Sequence, residues 1–319
     1  MSDPRQPAGP AIVGVEHFVQ KGGVRLYLWE KCASQPHGKP AILFVHGSSL
    51  SGRATFDLQV PRQPGASAMD WFASRGFDVW CLDMEGYGRS DKQRDINCDV
   101  ANGADDCLAA CRYIKGLRGL ESIHVYGSSS GALRAGLFAQ RHPELVARLA
   151  LDALVWTGTD SATLAQRRQK IDAFTASNRR PIDRSHIRSI FLRDHDGSTD
   201  SAVIEAVADE VLAHDDSVPN GTYVDMCMNL PLVNPQAIHV PTIVMRGQWD
   251  GIATEADLLG FFALLPNTDK QFVMMPGIAH TSFHQRKREL AFRVLHSFLT
   301  LHEADGAAQI TPTREARAT

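Results

Sequence analysis

Short apolar runs alternate with segments of helical periodicity along most of the chain. The first two runs, 12–19 and 24–29, are expected to pair as strands. Six more end at a polar residue or a glycine, as buried strands do: 41–45, 77–82, 123–126, 149–151, 242–245 and 272–275. Helical periodicity covers 67–75, 99–117, 130–142, 254–265 and 284–301. This alternation predicts an α/β fold, with a mostly parallel sheet covered by helices on both faces.

One long interval breaks the alternation. Residues 157–238 are rich in charge and helical in pattern, with no convincing buried strand. A length of roughly eighty residues exceeds that of an ordinary loop, so we predict a helical cap over the active site. The chain end lacks periodicity and is expected to form a flexible tail. The predicted domains are an α/β core, a cap insertion and a C-terminal tail: 1–156 with 239–301, 157–238, and 302–319.

Composition narrows the classes of partner. The 319 residues carry a formal net charge of -3 and are 44% hydrophobic, as in a globular protein with a sizeable core. No basic stripe appears, which argues against nucleic acid as the main partner. No apolar run approaches the roughly 18 residues of a membrane span, and no secretory signal is visible. We expect a cytoplasmic protein that acts on a small-molecule substrate; the sequence leaves its oligomeric state open.

The six cysteines fit a reducing compartment. Cys107 and Cys111 fall on the apolar stripe of segment 99–117, so we expect both to be reduced thiols in the core. Nothing resembles a C-x-x-C pair, and the cysteines do not group with histidines at metal-ligand spacing. The sequence therefore predicts no metal site.

The clearest chemical signal is Gly127-Ser128-Ser129-Ser130-Gly131, between a predicted strand and a predicted helix. A sharp strand-to-helix turn lifts one side chain into the open, and small residues two positions to either side avoid clashes with the neighbouring strand and helix. Ser129 occupies the lifted position, with the N–H groups and dipole of the helix behind it. We therefore predict Ser129 as a catalytic nucleophile. Ser128 and Ser130 lack the symmetric glycine flanks.

A serine nucleophile needs a base that is itself oriented by a carboxylate. Asp250 and His280 follow the last two predicted strands, at the sheet edge expected for Ser129. We predict His280 as the base and Asp250 as its acid. His284 competes with His280, but its position assigns it to the final helix. Asp152 also ends a strand and is the alternative acid, less favoured than Asp250.

The charge that develops on an attacked carbonyl oxygen requires an oxyanion hole. One donor is expected to be the N–H of Ser130, directly after the nucleophile. The other is expected to be the N–H of Ser48, in the loop His46-Gly47-Ser48-Ser49, where Gly47 permits a sharp bend. His46 is interpreted as a structural hydrogen-bonding residue.

Together these segments resemble the α/β-hydrolase superfamily over most of the chain, roughly 24–155 and 238–301. Four motifs stand in family order: His46-Gly47, Asp83-Met84-Glu85-Gly86-Tyr87-Gly88-Arg89-Ser90, the elbow at Ser129, and the Asp250/His280 pair. The resemblance implies an eight-stranded, mostly parallel sheet with flanking helices, a covalent acyl-enzyme and no cofactor.

Two features depart from the family pattern. Glu85 stands where many relatives carry arginine or proline, and 48–67 is long for a loop between a strand and its helix. That segment is interpreted either as part of the pocket or as a plain surface loop. The serine at position 129 also argues against haloalkane dehalogenases and epoxide hydrolases, which use aspartate there.

The sequence thus predicts a serine hydrolase that cleaves an ester of a small organic substrate, carboxylesterase-like, through a Ser-His-Asp triad. Carbon–carbon bond hydrolysis of diketone-type substrates and cofactor-free perhydrolysis reuse the same groups and stay open. Outside the enzymes, a ligand-binding module on the same scaffold is the alternative, although a binder has no need of all three groups.

Overall fold

The computed structural model describes residues 11–301, so the predicted tail over 302–319 and the start of the chain lie outside the described residues. The strands are β1 Ile12–Lys21, β2 Val24–Ala33, β3 Ala41–Val45, β4 Asp78–Leu82, β5 Ile123–Ser128, β6 Val146–Asp152, β7 Arg179–Pro181, β8 Ser217–Pro219, β9 Thr242–Gly247 and β10 Lys270–Met275. Eight of them form one sheet in the order β1-β2-β4-β3-β5-β6-β9-β10. The pairs β1–β2 and β2–β4 are antiparallel, and the remaining pairs in that sheet are parallel.

The helices are α1 Gly52–Phe56, α2 Ala68–Ala73, α3 Val100–Arg118, α4 Ser130–Arg141, α5 Ala162–Arg168, α6 Ile171–Thr175, α7 Arg184–Leu192, α8 Ser201–Leu212, α9 Gly221–Met228, α10 Glu255–Leu264 and α11 Arg288–Thr300. Their ends follow local chemistry. The Asp99 side chain accepts a hydrogen bond from Asn102 N and caps α3, and Gly119 ends that helix at φ 68°. Within residues 11–301, no helix is long and apolar enough to cross a membrane.

Successive side chains of the central strands enter two different cores, one on each face of the sheet. In β3, Leu43 and Val45 belong to the core that includes residues of α3, α4 and α10, whereas Ile42 and Phe44 belong to the core that includes residues of α2 and α11. The six cysteines are buried and free of disulfides, which confirms the prediction for the thiols of α3. A sheet buried on both faces gives continuous apolar runs, which is why these strands were visible in the sequence.

The eight-stranded, mostly parallel sheet confirms the predicted fold class. Two local predictions are wrong. The final helix begins at Arg288, and His284 lies before it in a 3₁₀ turn, Ser282–His284, because the following Gln285 is extended at ψ 161°. Part of the segment 48–67, predicted as a loop, forms the short helix α1, whose buried Phe56 packs against Phe44 of β3 and Tyr126 of β5.

The interval 157–238 contains α5 to α9 and a small antiparallel sheet of β7 and β8. These strands have three residues each, too short for a periodic signal, so the purely helical expectation was incomplete. Buried apolar side chains hold α7 and α8 together: Ile187, Phe191, Val203, Val207 and Val211. The segment also contacts the core directly, since Gly221 N donates to Asn97 O at 2.7 Å.

Candidate active site

The turn between β5 and α4 holds Ser129 in a strained backbone conformation. Its φ of 59° and ψ of -125° lie in a region that residues with a side chain rarely adopt. A Cβ on Gly131 would lie against the Val45 carbonyl oxygen, and one on Gly127 would lie against the Gly131 carbonyl oxygen. The turn therefore needs glycine at both flanks, and it presents Ser129 to a cavity at the carboxyl ends of the strands.

Ser129, His280 and Asp250 come together in one hydrogen-bonded chain. The Ser129 hydroxyl lies 2.8 Å from His280 Nε2, and His280 Nδ1 lies 3.0 Å from each carboxylate oxygen of Asp250. Both His280 and Asp250 are buried. In this arrangement Nδ1–H donates to the carboxylate and Nε2 is left to accept from the serine.

The carboxylate of Asp250 is held ionised despite complete burial. Burial by itself raises its pKa, but the charge of His280 and hydrogen bonds from His280, Ile252 N and Ala253 N lower the pKa below the ordinary value. The two backbone donors lie 2.8 Å and 3.0 Å from Oδ1. Asp250 thus remains a negatively charged acceptor beside the imidazole.

Asp152, the alternative acid, lies close to the site but has a different partner. Its Oδ2 accepts from the Tyr126 hydroxyl at 2.6 Å, and its main-chain oxygen accepts from Ser129 N at 2.9 Å. Burial raises the pKa of Asp152 to about 6, with a further contribution from the charge of Asp250. The histidine contact of this site is made by Asp250.

The two predicted oxyanion donors are neighbours. The Ser48 hydroxyl donates to the Ser130 hydroxyl at 2.7 Å, and both residues are buried. A Cβ on Gly47 would lie 3.3 Å from Ser129 Cβ, so the absence of a side chain lets this loop approach the nucleophile closely. The structure therefore places the Ser48 loop in contact with Ser130 and close to Ser129.

Residues from the 157–238 interval fix the Ser48 loop. Thr222 Oγ1 donates to Ser48 Oγ at 2.9 Å, and Arg180 Nη2 donates to the Ser48 carbonyl oxygen at 2.8 Å. Tyr87 also donates to that oxygen, at 3.1 Å. Sequence reasoning missed Thr222 and Arg180 because neither sits in a motif and both are distant from Ser48 along the chain.

His46 has a structural role, in agreement with its interpretation from the sequence. Met84 N donates to Nε2 at 3.0 Å, and Nδ1 lies 2.8 Å from the Gly47 carbonyl oxygen. Burial, together with the charge of Arg134, lowers the pKa of His46 to about 3. A neutral imidazole therefore braces the loop through hydrogen bonds with Met84 N and Gly47 O.

Glu85, the departure from the family pattern, belongs to an ion cluster away from the nucleophile. Its carboxylate accepts from Lys21 Nζ at 2.9 Å and from two nitrogens of Arg94 at 2.5 Å. Burial opposes ionisation, but the hydrogen bonds from Arg94 and Lys21 lower the pKa of Glu85 to about 2. This residue ties β1 to the turn after β4.

The site opens into a cavity at the carboxyl ends of the strands. Ser129 and His280 line it, as do Ser48 and residues of the 48–67 segment, so the segment contributes to the pocket. Further lining comes from the 157–238 interval: Arg167, Ile190, Arg193 and Tyr223. Ser129 and His280 therefore face the same cavity as side chains of this interval.

Among the described residues, Asp194, Asp250 and His280 are the group that could hold a metal ion, with one ligand atom from each lying within 4.8 Å of the others. Asp194, however, forms a bidentate ion pair with Arg193, at 2.6 Å and 2.9 Å. Asp250 is engaged by His280 in the same way. These oxygens therefore already have cationic or N–H partners.

A serine, histidine and aspartate in contact at the carboxyl edge of this sheet define the class of α/β hydrolases. The chain belongs to the serine aminopeptidase S33 family, whose model matches residues 65–287.

The chain is also similar to two 2-hydroxy-6-oxononadienedioate/2-hydroxy-6-oxononatrienedioate hydrolases. The one from Paraburkholderia phymatum is 33% identical over 122 residues, 36% of each chain. The one from Pseudomonas putida is 28% identical over 195 residues, 58% of this chain and 61% of the relative. The chain thus spans about a third of the first relative's length. A thermophilic esterase from Thermogutta terrifontis superposes with a TM-score of 0.64 at 19% identity, covering 91% of this chain and 98% of the esterase, which is a likeness of fold.

Proposed function

We propose that the protein is a serine hydrolase that cleaves an ester of a small organic substrate through a covalent acyl-enzyme. The observation that carries this proposal is His280, which contacts the Ser129 hydroxyl through Nε2 and the Asp250 carboxylate through Nδ1. The six buried, free cysteines favour a reducing compartment such as the cytoplasm.

In the proposed reaction, Ser129 Oγ forms a bond to the substrate carbonyl carbon while its proton passes to His280 Nε2. The oxyanion accepts hydrogen bonds from the N–H groups of Ser48 and Ser130. The carbon–oxygen bond to the alcohol then breaks, and His280 returns the proton to the leaving oxygen. A water molecule, deprotonated by His280, attacks the acyl-enzyme and releases the acid with Ser129 restored.

Residues 157–238 are proposed to form the cap of this enzyme, on a core of 1–156 and 239–301. Two observations support the assignment. Thr222 and Arg180 hydrogen-bond the Ser48 loop, and four residues of the interval line the cavity in front of Ser129. In this proposal the cap selects the substrate, and the core performs the chemistry.

Hydrolysis of short p-nitrophenyl esters tests the proposal. We expect release of p-nitrophenol by the wild type and loss of at least about 10³-fold in kcat for Ser129→Ala. The Ser128→Ala protein is the matched control, since its serine neighbours the nucleophile in the same turn, and it is expected to keep most of the activity. Equal rates for the wild type and Ser129→Ala would overturn the assignment, and binding of ligands without turnover would favour the binding-module alternative.

Hydrolysis of a carbon–carbon bond next to a ketone is the second candidate. It is favoured by the names of the relatives, which are hydrolases of 2-hydroxy-6-oxo dienedioates. The same three residues would act, but His280 would deliver the proton to a carbon atom of the leaving group. Comparison of kcat/KM for p-nitrophenyl esters and for a 2-hydroxy-6-oxo dienoate, followed by loss of its absorbance, separates the two reactions.

A further inference from the structure

A second cavity lies beside the first and is open to solvent. The two share four lining residues: Arg167, Ile190, Arg193 and Tyr223. The second cavity is formed by the 157–238 interval, and its basic lining residues are Arg167, Lys170, Arg180 and Arg193. No aspartate or glutamate of the described chain lines it. A concave surface with this balance attracts anions, although the protein as a whole has a net charge of -3.

Two of these arginines stand around the ring of Tyr223. The guanidinium carbon of Arg180 lies 3.8 Å from the ring centroid, and that of Arg167 lies 4.3 Å from it. Stacking on the ring fixes the direction of both guanidinium groups. The basic surface is therefore preorganised.

Neither of these arginines has a carboxylate partner among the ion pairs of residues 11–301. Arg180 is only 8% exposed and donates to neutral oxygens of Ser48, Ser49, Pro219 and Asn220. Its Nε is buried without a hydrogen-bond partner in the described structure. A buried guanidinium without a counter-ion is costly, and an anion in the cavity would offset that cost.

The positive charges of these arginines also affect the pKa of the Tyr223 hydroxyl. Burial raises the pKa of Tyr223, but the charges of Arg167 and Arg180, a hydrogen bond with Ser49 and the charge of Arg193 lower the pKa to about 7. The positive potential therefore outweighs the desolvation of a negative group at this position. The same balance would apply to a carboxylate brought to the same place.

We propose that the second cavity binds a carboxylate on the acyl part of the substrate, with Arg167 as its main partner. Arg167 lines both cavities, so it can reach a group attached to an acyl chain whose carbonyl lies at Ser129. Arg193 is already paired with Asp194, and Arg180 is engaged by the Ser48 loop. The substrate class, which rests on the proposed hydrolase function, is an ester of a small dicarboxylic acid.

The kinetic test compares anionic and neutral acyl groups of equal length. Mono-p-nitrophenyl succinate, glutarate and adipate are measured against p-nitrophenyl butanoate, pentanoate and hexanoate. At one length at least, the wild type is expected to prefer the anionic ester in kcat/KM. Arg167→Gln is expected to lower kcat/KM for that anionic ester about 10- to 100-fold, as for loss of a charged hydrogen bond, and to change the neutral ester less than about twofold.

Arg188→Gln is the matched control, because it removes the same charge from an exposed position of α7 that pairs with Glu205 at 2.6 Å. It is expected to leave the preference unchanged, and Arg167→Lys is expected to restore part of it. The proposal is overturned if the wild type shows no preference at any of the three lengths. It is also overturned if Arg167→Gln, folded by its melting temperature, slows both ester types equally.

A binding measurement separates this inference from the hydrolase function. Calorimetry on the Ser129→Ala protein is expected to detect glutarate, with affinity reduced about 10-fold or more by the added Arg167→Gln change. Glutarate binding without hydrolysis of either ester class would reject the proposed function alone. Hydrolysis without Arg167-dependent glutarate binding would reject the carboxylate site, and so would tighter binding of inorganic phosphate than of glutarate.

Discussion

Replacement of Asp250 by asparagine separates the two candidate acids most directly. The asparagine would be nearly isosteric, and its oxygen would still accept from Ile252 N and Ala253 N, which lie 2.8 Å and 3.0 Å from Oδ1 of the aspartate. Its amide nitrogen would then face His280 Nδ1. Nδ1 lies 3.0 Å from both positions, but the retained oxygen already accepts two backbone N–H groups, and an Nδ1–H would oppose the amide N–H. The imidazole is therefore expected to carry its proton on Nε2. In that tautomer His280 cannot accept the proton of Ser129.

Two losses determine how far kcat falls. The variant loses the tautomer in which Nε2 can accept a proton, and it loses the negative charge that stabilises the imidazolium formed when His280 takes the proton of Ser129. In the serine protease example of the same substitution, kcat falls by about 10⁴-fold, which corresponds to about 5 kcal/mol of activation free energy. We expect a fall of about 10³- to 10⁴-fold in kcat here, with KM little changed. Asp152→Asn keeps an oxygen that can accept from Tyr126, 2.6 Å away, and is expected to cost less than about tenfold.

Steady-state hydrolysis of p-nitrophenyl acetate is the assay, with both variants measured well below their melting temperatures. Burst kinetics would show whether acylation or deacylation is slowed. The assignment of Asp250 fails if the Asp152 variant, rather than the Asp250 variant, loses the activity. Equal, large losses in two well-folded variants would also contradict the reasoning, because the Asp152 carboxylate is held by Tyr126 and the histidine by Asp250.

Four further substitutions test the supporting structure. Burial lowers the pKa of His284 to about 4 from its ordinary 6.5; the unfolded chain therefore takes up a proton first, and stability present above pH 6.5 is lost as the pH falls towards 4. The free energy of unfolding, measured by urea titration, should therefore decrease between pH 8 and pH 4.5, and His284→Gln should make that decrease about 2.5 kcal/mol smaller. The same decrease in the wild type and the variant would contradict this. In Gly131→Ala the new Cβ would meet the carbonyl oxygens of Val45 and His46 at the end of β3, and the protein should be destabilised by about 3 kcal/mol or more. Gly116→Ala is the control: its Cβ would lie in open space on α3, and the protein should be stabilised by about 0.5–1 kcal/mol. Thr222→Val, which removes a donor to the Ser48 hydroxyl, should lower kcat several-fold with KM for a short neutral ester unchanged; a change confined to KM would refute its positioning role.

The sequence was most informative where physics forces a repeating pattern. The central strands are buried on both faces, so their residues are uniformly apolar, and a polar residue after such a run marks the sheet edge. Asp250 stands in that position after β9, and His280 follows β10, the partly buried strand at the end of the sheet. Parallel strands bring their carboxyl ends together. The positions of these residues along the chain were therefore enough to predict that His280 contacts Ser129, although the two are 151 residues apart in the sequence.

The pattern fails where contacts depend on how short elements cross. The strands that carry Arg180 and Pro219 have three residues each, which is too short for an alternating pattern that could be recognised in the sequence. Arg180 contacts Ser48, 132 residues away along the chain, and no motif links the two. Nor does the sequence indicate that Arg167 and Arg180 converge on one aromatic ring, because their charges look like those of any solvated surface.

The contacts of Ser48 also bear on the proposed division between a core that carries out the reaction and a cap that selects the substrate. An oxyanion donor works only if its N–H points at the place where charge develops, and small displacements are costly in rate. The Ser48 loop is fixed from the core by Tyr87 and from the proposed cap by Arg180 and Thr222. Arg180 in turn stacks on Tyr223, in the wall of the substrate cavity. A ligand that repositions Tyr223 or Arg180 would therefore act on the chemical step as well as on binding, so substrate selectivity in this enzyme should be visible in kcat and not in KM alone.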